Sequence, residues 1–152
     1  MINCKPRGLC SWNYRLESNG ESAVTSIESM AEEGTIESNG RMFRIKKHGV
    51  MSGHWTLEHD GVVLSQAFKK DVMTRTFDVQ AADYDLQVKA QAAFGRDMVI
   101  AEGEKVIAKV KPVHSFTRRA TIDVYHEGYD FVVLAFSFWL ITLIWRRHAG
   151  SV

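Results

Sequence analysis

Residues 129–148 read YDFVVLAFSFWLITLIWRRH, and between Phe131 and Trp145 only Ser137 and Thr142 carry a side-chain oxygen. A helix there is apolar on every face. It must be enclosed by protein or sit in lipid. About fifteen residues span roughly 22 Å, between a typical core helix and a full membrane crossing. The ends favour a helix over a strand. Asp130 or Gly128 can cap the first amides. Arg146, Arg147 and His148 suit the negative end of a helix dipole, and Gly150 can take the left-handed conformation that closes a helix.

The rest of the chain does not look membranous. Hydrophobic residues make up 45% of the 152 and charged residues 24%, an ordinary balance for one globular domain. The formal net charge of +1 gives no reason to expect nucleic acid as a partner. No apolar leader precedes residue 11, so the chain reads as cytoplasmic, with association at a membrane as the variant. Cys4 and Cys10 read as free thiols, since two cysteines make no disulfide framework. Residues 1–11 read as a flexible lead, and 12–148 as one domain.

Within that domain a period of two dominates. Phe43 and Ile45 alternate with Arg44 and Lys46. Trp55 and Leu57 alternate with Thr56 and Glu58. Phe77 and Val79, then Leu86, Val88 and Ala90, then Ala120, Ile122 and Val124, each mark one face of a strand. Glu-Ser-Asn-Gly occurs at 17–20 and again at 37–40, and Asp60-Gly61 follows, all hairpin signals. The stretch 28–33 tolerates a helical turn, and Pro112 ends a strand. Segments 43–60, 63–84, 86–105 and 107–130 each read as one hairpin, a weak repeat of about 21 residues. The sum is a mainly β chain of about 12 short strands with one C-terminal helix. Each strand has an apolar face to cover, and the helix 129–148 must be surrounded. A closed antiparallel β-barrel around a buried hydrophobic helix meets both needs and leaves no sheet edge.

The repeated hairpins, above all 43–47 (FRIKK) and 55–61 (WTLEHDG), and the closing EGYDFVVLA at 127–135 resemble the tubby-like fold. The resemblance is nearest to the LURP-one-related family and its bacterial members, which are similar to phospholipid scramblases. It covers roughly residues 40–145. It implies a barrel of about twelve strands around a central helix, and a function at membranes or phosphoinositide head groups. The Pro-rich N-terminal region and cysteine cluster of scramblases are missing here. No phosphoinositide site is carried over residue by residue.

Three basic pairs stand near strand ends: Lys46-Lys47, Lys69-Lys70 and Arg118-Arg119. Gathered at one rim they would bind anionic phospholipid through charge and hydrogen bonds. Scattered, they would only keep strand ends soluble. The histidines, His48, His54, His59, His114, His126 and His148, lack the spacing of a metal site. His54 and His59 should point to opposite faces, while His114 and His126 have a chance to meet across a hairpin. Asp71, Asp78, Asp83, Asp85 and Asp97 read as turn formers. No nucleophile elbow, phosphate-binding glycine loop or HExxH helix is present. The expectation is a non-enzymatic barrel without catalytic residues, cofactor or metal, binding anionic lipid head groups at a basic rim. Two alternatives stand beside it: a tail-anchored protein with a cytoplasmic β-domain, and an enzyme of unrecognised type.

Overall fold

Two-residue turns set the register of the first hairpins. The computed structural model describes residues 1–9, 11–28, 30–71, 74–114 and 117–149; Cys10 and Gly150 lie outside them. Ser18 pairs with Glu21 and Ser38 with Arg41, each across an Asn-Gly pair. The two tetrapeptides are identical in sequence but not in backbone. Asn39 and Gly40 both take positive φ (52° and 72°), as do Asp60 and Gly61 (50° and 79°), whereas at 19–20 only the glycine does. Paired left-handed residues give the turn whose twist matches a hairpin.

Twelve strands result: β1 (Ile2–Pro6), β2 (Tyr14–Ser18), β3 (Glu21–Glu28), β4 (Glu33–Ser38), β5 (Arg41–Lys47), β6 (His54–His59), β7 (Val62–Lys69), β8 (Thr76–Gln80), β9 (Asp85–Ala90), β10 (Met98–Glu102), β11 (Lys105–Pro112) and β12 (Ala120–Val124). Each pairs antiparallel with its neighbours in sequence. The barrel closes where β1 meets β12, with Ile2 opposite Ile122 and Cys4 opposite Ala120. The expectation of a flexible lead over 1–11 is therefore corrected. Ile2 and Cys4 face the core and β1 covers the edges of both β2 and β12. Two apolar residues in alternation are a faint local signal. The requirement for that strand comes from two otherwise unpaired edges. Burial pushes the Cys4 thiol far up from its usual value, which leaves little thiolate for chemistry.

Of the stretch 28–33, Ser29 lies outside the described residues, Glu28 and Glu33 belong to β3 and β4, and residues 30–32 form a turn in which the Glu32 amide donates to the Glu28 carbonyl over 3.1 Å. Pro112 is the last residue of β11 and sits opposite Ala120.

One helix, α1 (Phe131–Ala149), fills the barrel. It starts later than residue 129 because Asp130 is the cap: its carboxylate accepts from the Val132 amide at 2.8 Å. From Val133 to Trp145 every residue is buried. The strands contribute Leu16, Ile36, Ile45, Leu57, Phe77, Val79, Val88, Ile100 and Ile122 to the same core. By length and composition the helix is also apolar enough to cross a membrane; here the barrel takes the place of lipid.

Buried indoles need a partner for their N–H. Trp139 donates to the Ser26 carbonyl in β3 (2.8 Å), and Trp145 to the Arg96 carbonyl between β9 and β10 (3.0 Å). These bonds fix the helix in height and rotation. Gly34 in β4 leaves room for the first. A Cβ built there would overlap the Ser26 carbonyl oxygen and stand 2.7 Å from the Trp139 nitrogen.

Candidate functional site: a cationic end of the barrel

In an up-and-down barrel the links alternate between two ends. The β1–β2, β3–β4, β5–β6, β7–β8, β9–β10 and β11–β12 links share one end. The C-terminus of α1 emerges there, since Arg147 reaches Glu32 and Trp145 reaches Arg96. The other links share the opposite end, where the Asp130 amide donates to the Tyr84 hydroxyl.

Charge divides the same way. Links at the first end carry Arg7, Lys70, Arg75, Arg96, Arg118 and Arg119, against Glu32, Asp71 and Asp97. Arg146 and Arg147 join them from the helix. Links at the second end carry Asp60, Asp83, Glu104, Glu127 and Asp130, with no Lys or Arg among their described residues. A near-zero net charge conceals a barrel with a positive and a negative pole.

The positive end has a centre. Lys47 has the same strand parity as Phe43 and Ile45, so it turns into the barrel mouth beside Trp55, its cross-strand partner. Its amine lies 2.7 Å from Glu32 Oε1. The Arg147 guanidinium clasps the same carboxylate with two bonds, Nε to Oε2 at 2.7 Å and Nη2 to Oε1 at 2.8 Å. The Trp55 indole donates to the Glu32 carbonyl at 2.9 Å, and both cations sit over its ring, Lys47 at 5.3 Å and Arg147 at 5.9 Å. Two charge-assisted bonds in parallel are among the stronger polar contacts a protein makes. They tie the last turn of α1 to the β3–β4 link.

Those contacts hold the Glu32 carboxyl at about 2, first through the Arg147 hydrogen bonds and then Lys47, against the opposing effect of burial. A folded-state value below the unfolded one adds stability at higher pH. The contribution is complete above about pH 4.5 and is lost as pH falls towards about 2. Denaturant midpoints measured from pH 6 to pH 2 will fall steeply in that window for the native chain. In Glu32→Gln this part of the slope will be absent.

Beside the clasp lies a cavity of about 350 Å³, lined by Lys47, Lys69, Lys70, Asp71, Trp55 and Arg147, and by the β5–β6 link residues 50–53. Lys69 is partly desolvated and near Arg147; burial first, and Arg147 second, lower its pKa. An anion entering the cavity would relieve both effects, because it restores a counter-charge to the ammonium group.

All six basic residues noted in the sequence lie at this end, in two groups and one outlier. Lys47, Lys69 and Lys70 share the cavity. Lys46 is on the outer wall, 3.4 Å from Glu58. Arg118 and Arg119 precede β12, across the mouth from β5–β7. The Arg118 guanidinium lies 4.0 Å over the Trp12 ring, and its Nη1 is buried without a hydrogen-bond partner among the described residues. Sequence reasoning found Arg147 only as a charge for the helix end and did not find Glu32. Its signal would have been a carboxylate in an odd-to-even link, the links that face the helix terminus.

The one histidine pairing that the sequence left open does not form. His114 and His126 cannot meet, because β12 runs between them and puts them at opposite ends. His48 and His54 instead lie ring against ring at 4.8 Å, with His54 stacked on Phe68. Among the described residues no three His, Cys, Asp or Glu side chains are placed to hold a metal. At the negative end a larger cavity, about 720 Å³, includes Glu21, Asp83 and Asp130 with Arg41, a charge balance unsuited to an anion.

The molecule is thus a twelve-stranded antiparallel barrel threaded by its own C-terminal helix, with a cationic cavity where that helix leaves the barrel. No protein-family model, no curated protein and no solved structure matches the chain.

Proposed function

We propose that this chain is a non-enzymatic barrel of the tubby-like, LURP-one-related kind that binds anionic lipid head groups at its cationic end. One observation carries the reading: Lys47, Lys69, Lys70 and Arg147 line a single cavity, with Glu32, Asp71 and, 3.9 Å from the Lys70 amine, Asp78 as nearby carboxylates. A phosphate oxygen is an acceptor for amines and guanidinium alike. The cavity lies at the end of the barrel, between the β5–β6 link and the last turn of α1, where a head group on a planar surface can reach it. Arg118 and Arg119 widen the positive field but stand apart from the cavity, so they add attraction without shaping the site.

The test is co-sedimentation with vesicles of phosphatidylcholine containing a fifth phosphatidylserine. Each cation near an anionic surface contributes about 1 kcal/mol. Replacing both Lys69 and Lys70 by Glu is expected to weaken binding at least about 30-fold. Reversing Arg118 and Arg119 will weaken it less. Equal losses for the two pairs would reduce the cavity to a general positive field. Unchanged binding in both would remove the reading.

A second reading, in which α1 anchors the chain in lipid, is favoured by the length and composition of that helix. It requires the barrel to open and lose its core. Resistance of the membrane-bound chain to alkaline carbonate distinguishes the two.

A further inference from the structure

The links at the cationic end share a second property. Leu9 (β1–β2), Met30 (β3–β4), Val50 and Met51 (β5–β6) and Phe94 (β9–β10) are all at least 86% exposed, and Val113 (β11–β12) is 57% exposed. The opposite links are Asn-Gly, Asn-Gly, Asp-Gly, Ala-Ala-Asp-Tyr, Gly-Glu and 125–130. There Tyr125, at 54%, is the one exposed large hydrophobic residue. A lone exposed hydrophobe needs no explanation. Five links at one end, each with an apolar tip and interspersed with Arg and Lys, form a pattern.

The tips are held out by built structure. Arg75 donates to three carbonyls of the β9–β10 link, Gly95 at 2.7 Å, Ala92 at 2.8 Å and Ala93 at 3.0 Å. The Arg96 carbonyl of the same link accepts from the Trp145 indole. A loop pinned at four carbonyls presents Phe94 to solvent, and the ordering needed to display it is already done. In the β5–β6 link the Ser52 hydroxyl donates to the Gly49 carbonyl and accepts from the His54 amide. That tie holds Val50 and Met51 at the rim of the cationic cavity.

We infer that this end of the barrel docks upright on an anionic bilayer, with Phe94, Met51, Val50, Met30 and Leu9 inserted among the acyl chains. The inference rests on the head-group reading and adds to it an orientation and a hydrophobic contribution. A bilayer surface is the occupant because it alone offers both layers in the right order. Anionic head groups would meet the Lys and Arg of these links, and the hydrocarbon beneath them would take up the exposed apolar tips. The other exposed large hydrophobic residues, Met1, Met42, Val62 to Leu64, Val106 and Tyr125, are 39–69% exposed and lie towards the end whose links are acidic, where an anionic surface finds no row of cations.

The experiment compares the native chain, a tip variant (Met51→Ser with Phe94→Ser) and the Lys69→Glu with Lys70→Glu variant. Vesicles are phosphatidylcholine alone or with a fifth phosphatidylserine, at low and high salt. Both tip residues are over 90% exposed, so the tip variant keeps its fold; thermal unfolding checks this. The expected result is about tenfold weaker binding of the tip variant to anionic vesicles, with its salt dependence retained. A Phe94→Trp reporter is expected to shift to the blue and to be quenched by brominated lipid chains. Anionic binding that ignores the tips but vanishes with salt or charge reversal overturns insertion and leaves the head-group reading standing. No binding to any vesicle, with tip-dependent self-association instead, overturns both.

Discussion

A chain cut after Gly128 will not form the barrel. Without α1 the inward faces of the strands, including Trp55, Phe77, Ile45 and Ile100, surround nothing. Each large side chain stabilises the fold by about 1.5–3 kcal/mol when buried, and the cut removes thirteen consecutive buried residues between Val133 and Trp145 together with their contacts on the strands. Domain stability as a whole is only about 5–15 kcal/mol. The expected product is an aggregating chain without a cooperative unfolding transition or slowly exchanging strand amides. A soluble, cooperatively folded product would instead mean that the strands possess a core of their own. That is the condition a tail-anchored protein would have to meet.

The second large effect belongs to Trp139. Its indole fills the middle of the barrel and its N–H is bonded to the Ser26 carbonyl. Trp139→Ala should lower stability by about 3–5 kcal/mol, through lost contacts and the cavity left behind. Trp139→Phe separates the causes. It keeps most of the volume but leaves the Ser26 carbonyl without its donor, at about 1–3 kcal/mol. Chemical denaturation of the three proteins measures both quantities. If Phe costs as much as Ala, the hydrogen bond dominates over packing at this site, and the helix is positioned chiefly by its polar contacts.

The two effects explain why a nearly featureless apolar helix has one orientation. Apolar burial alone would let α1 rotate or slide among similar packings. Trp139 on β3 and Trp145 on the β9–β10 link fix it at two heights, and the Glu32 clasp on Arg147 closes the last turn. The clasp also places a guanidinium at the cavity wall. The device that positions the helix thereby builds part of the candidate site.

Local pattern was sufficient for most of this architecture. Alternation at 43–47, 55–58, 77–79 and 120–124, and Gly-containing turns between strands, mark the strands because side-chain direction has a period of two. The helix was legible because an uncharged, almost wholly apolar run of fifteen residues exceeds any ordinary strand, and its need for enclosure follows from composition alone. The pairs Lys46-Lys47, Lys69-Lys70 and Arg118-Arg119 were visible as charges near strand ends. Strand β1 was not, since Ile2 and Cys4 gain their role only from edges more than a hundred residues apart in sequence order. Nor was the grouping within the site. Lys47 turns inward and Lys46 outward by one residue of parity, while Arg118 lies across the mouth. Glu32 and Arg147 are 115 positions apart, and no spacing rule connects them. The sequence by itself determined strands, turns and a helix that must be enclosed, because these depend on neighbours within a few residues. Only the closed barrel decided which links share an end. In a meander that end is set by whether a link follows an odd or an even strand, and so a chain of net charge +1 folds into one with a cationic, apolar-tipped pole opposite an acidic one.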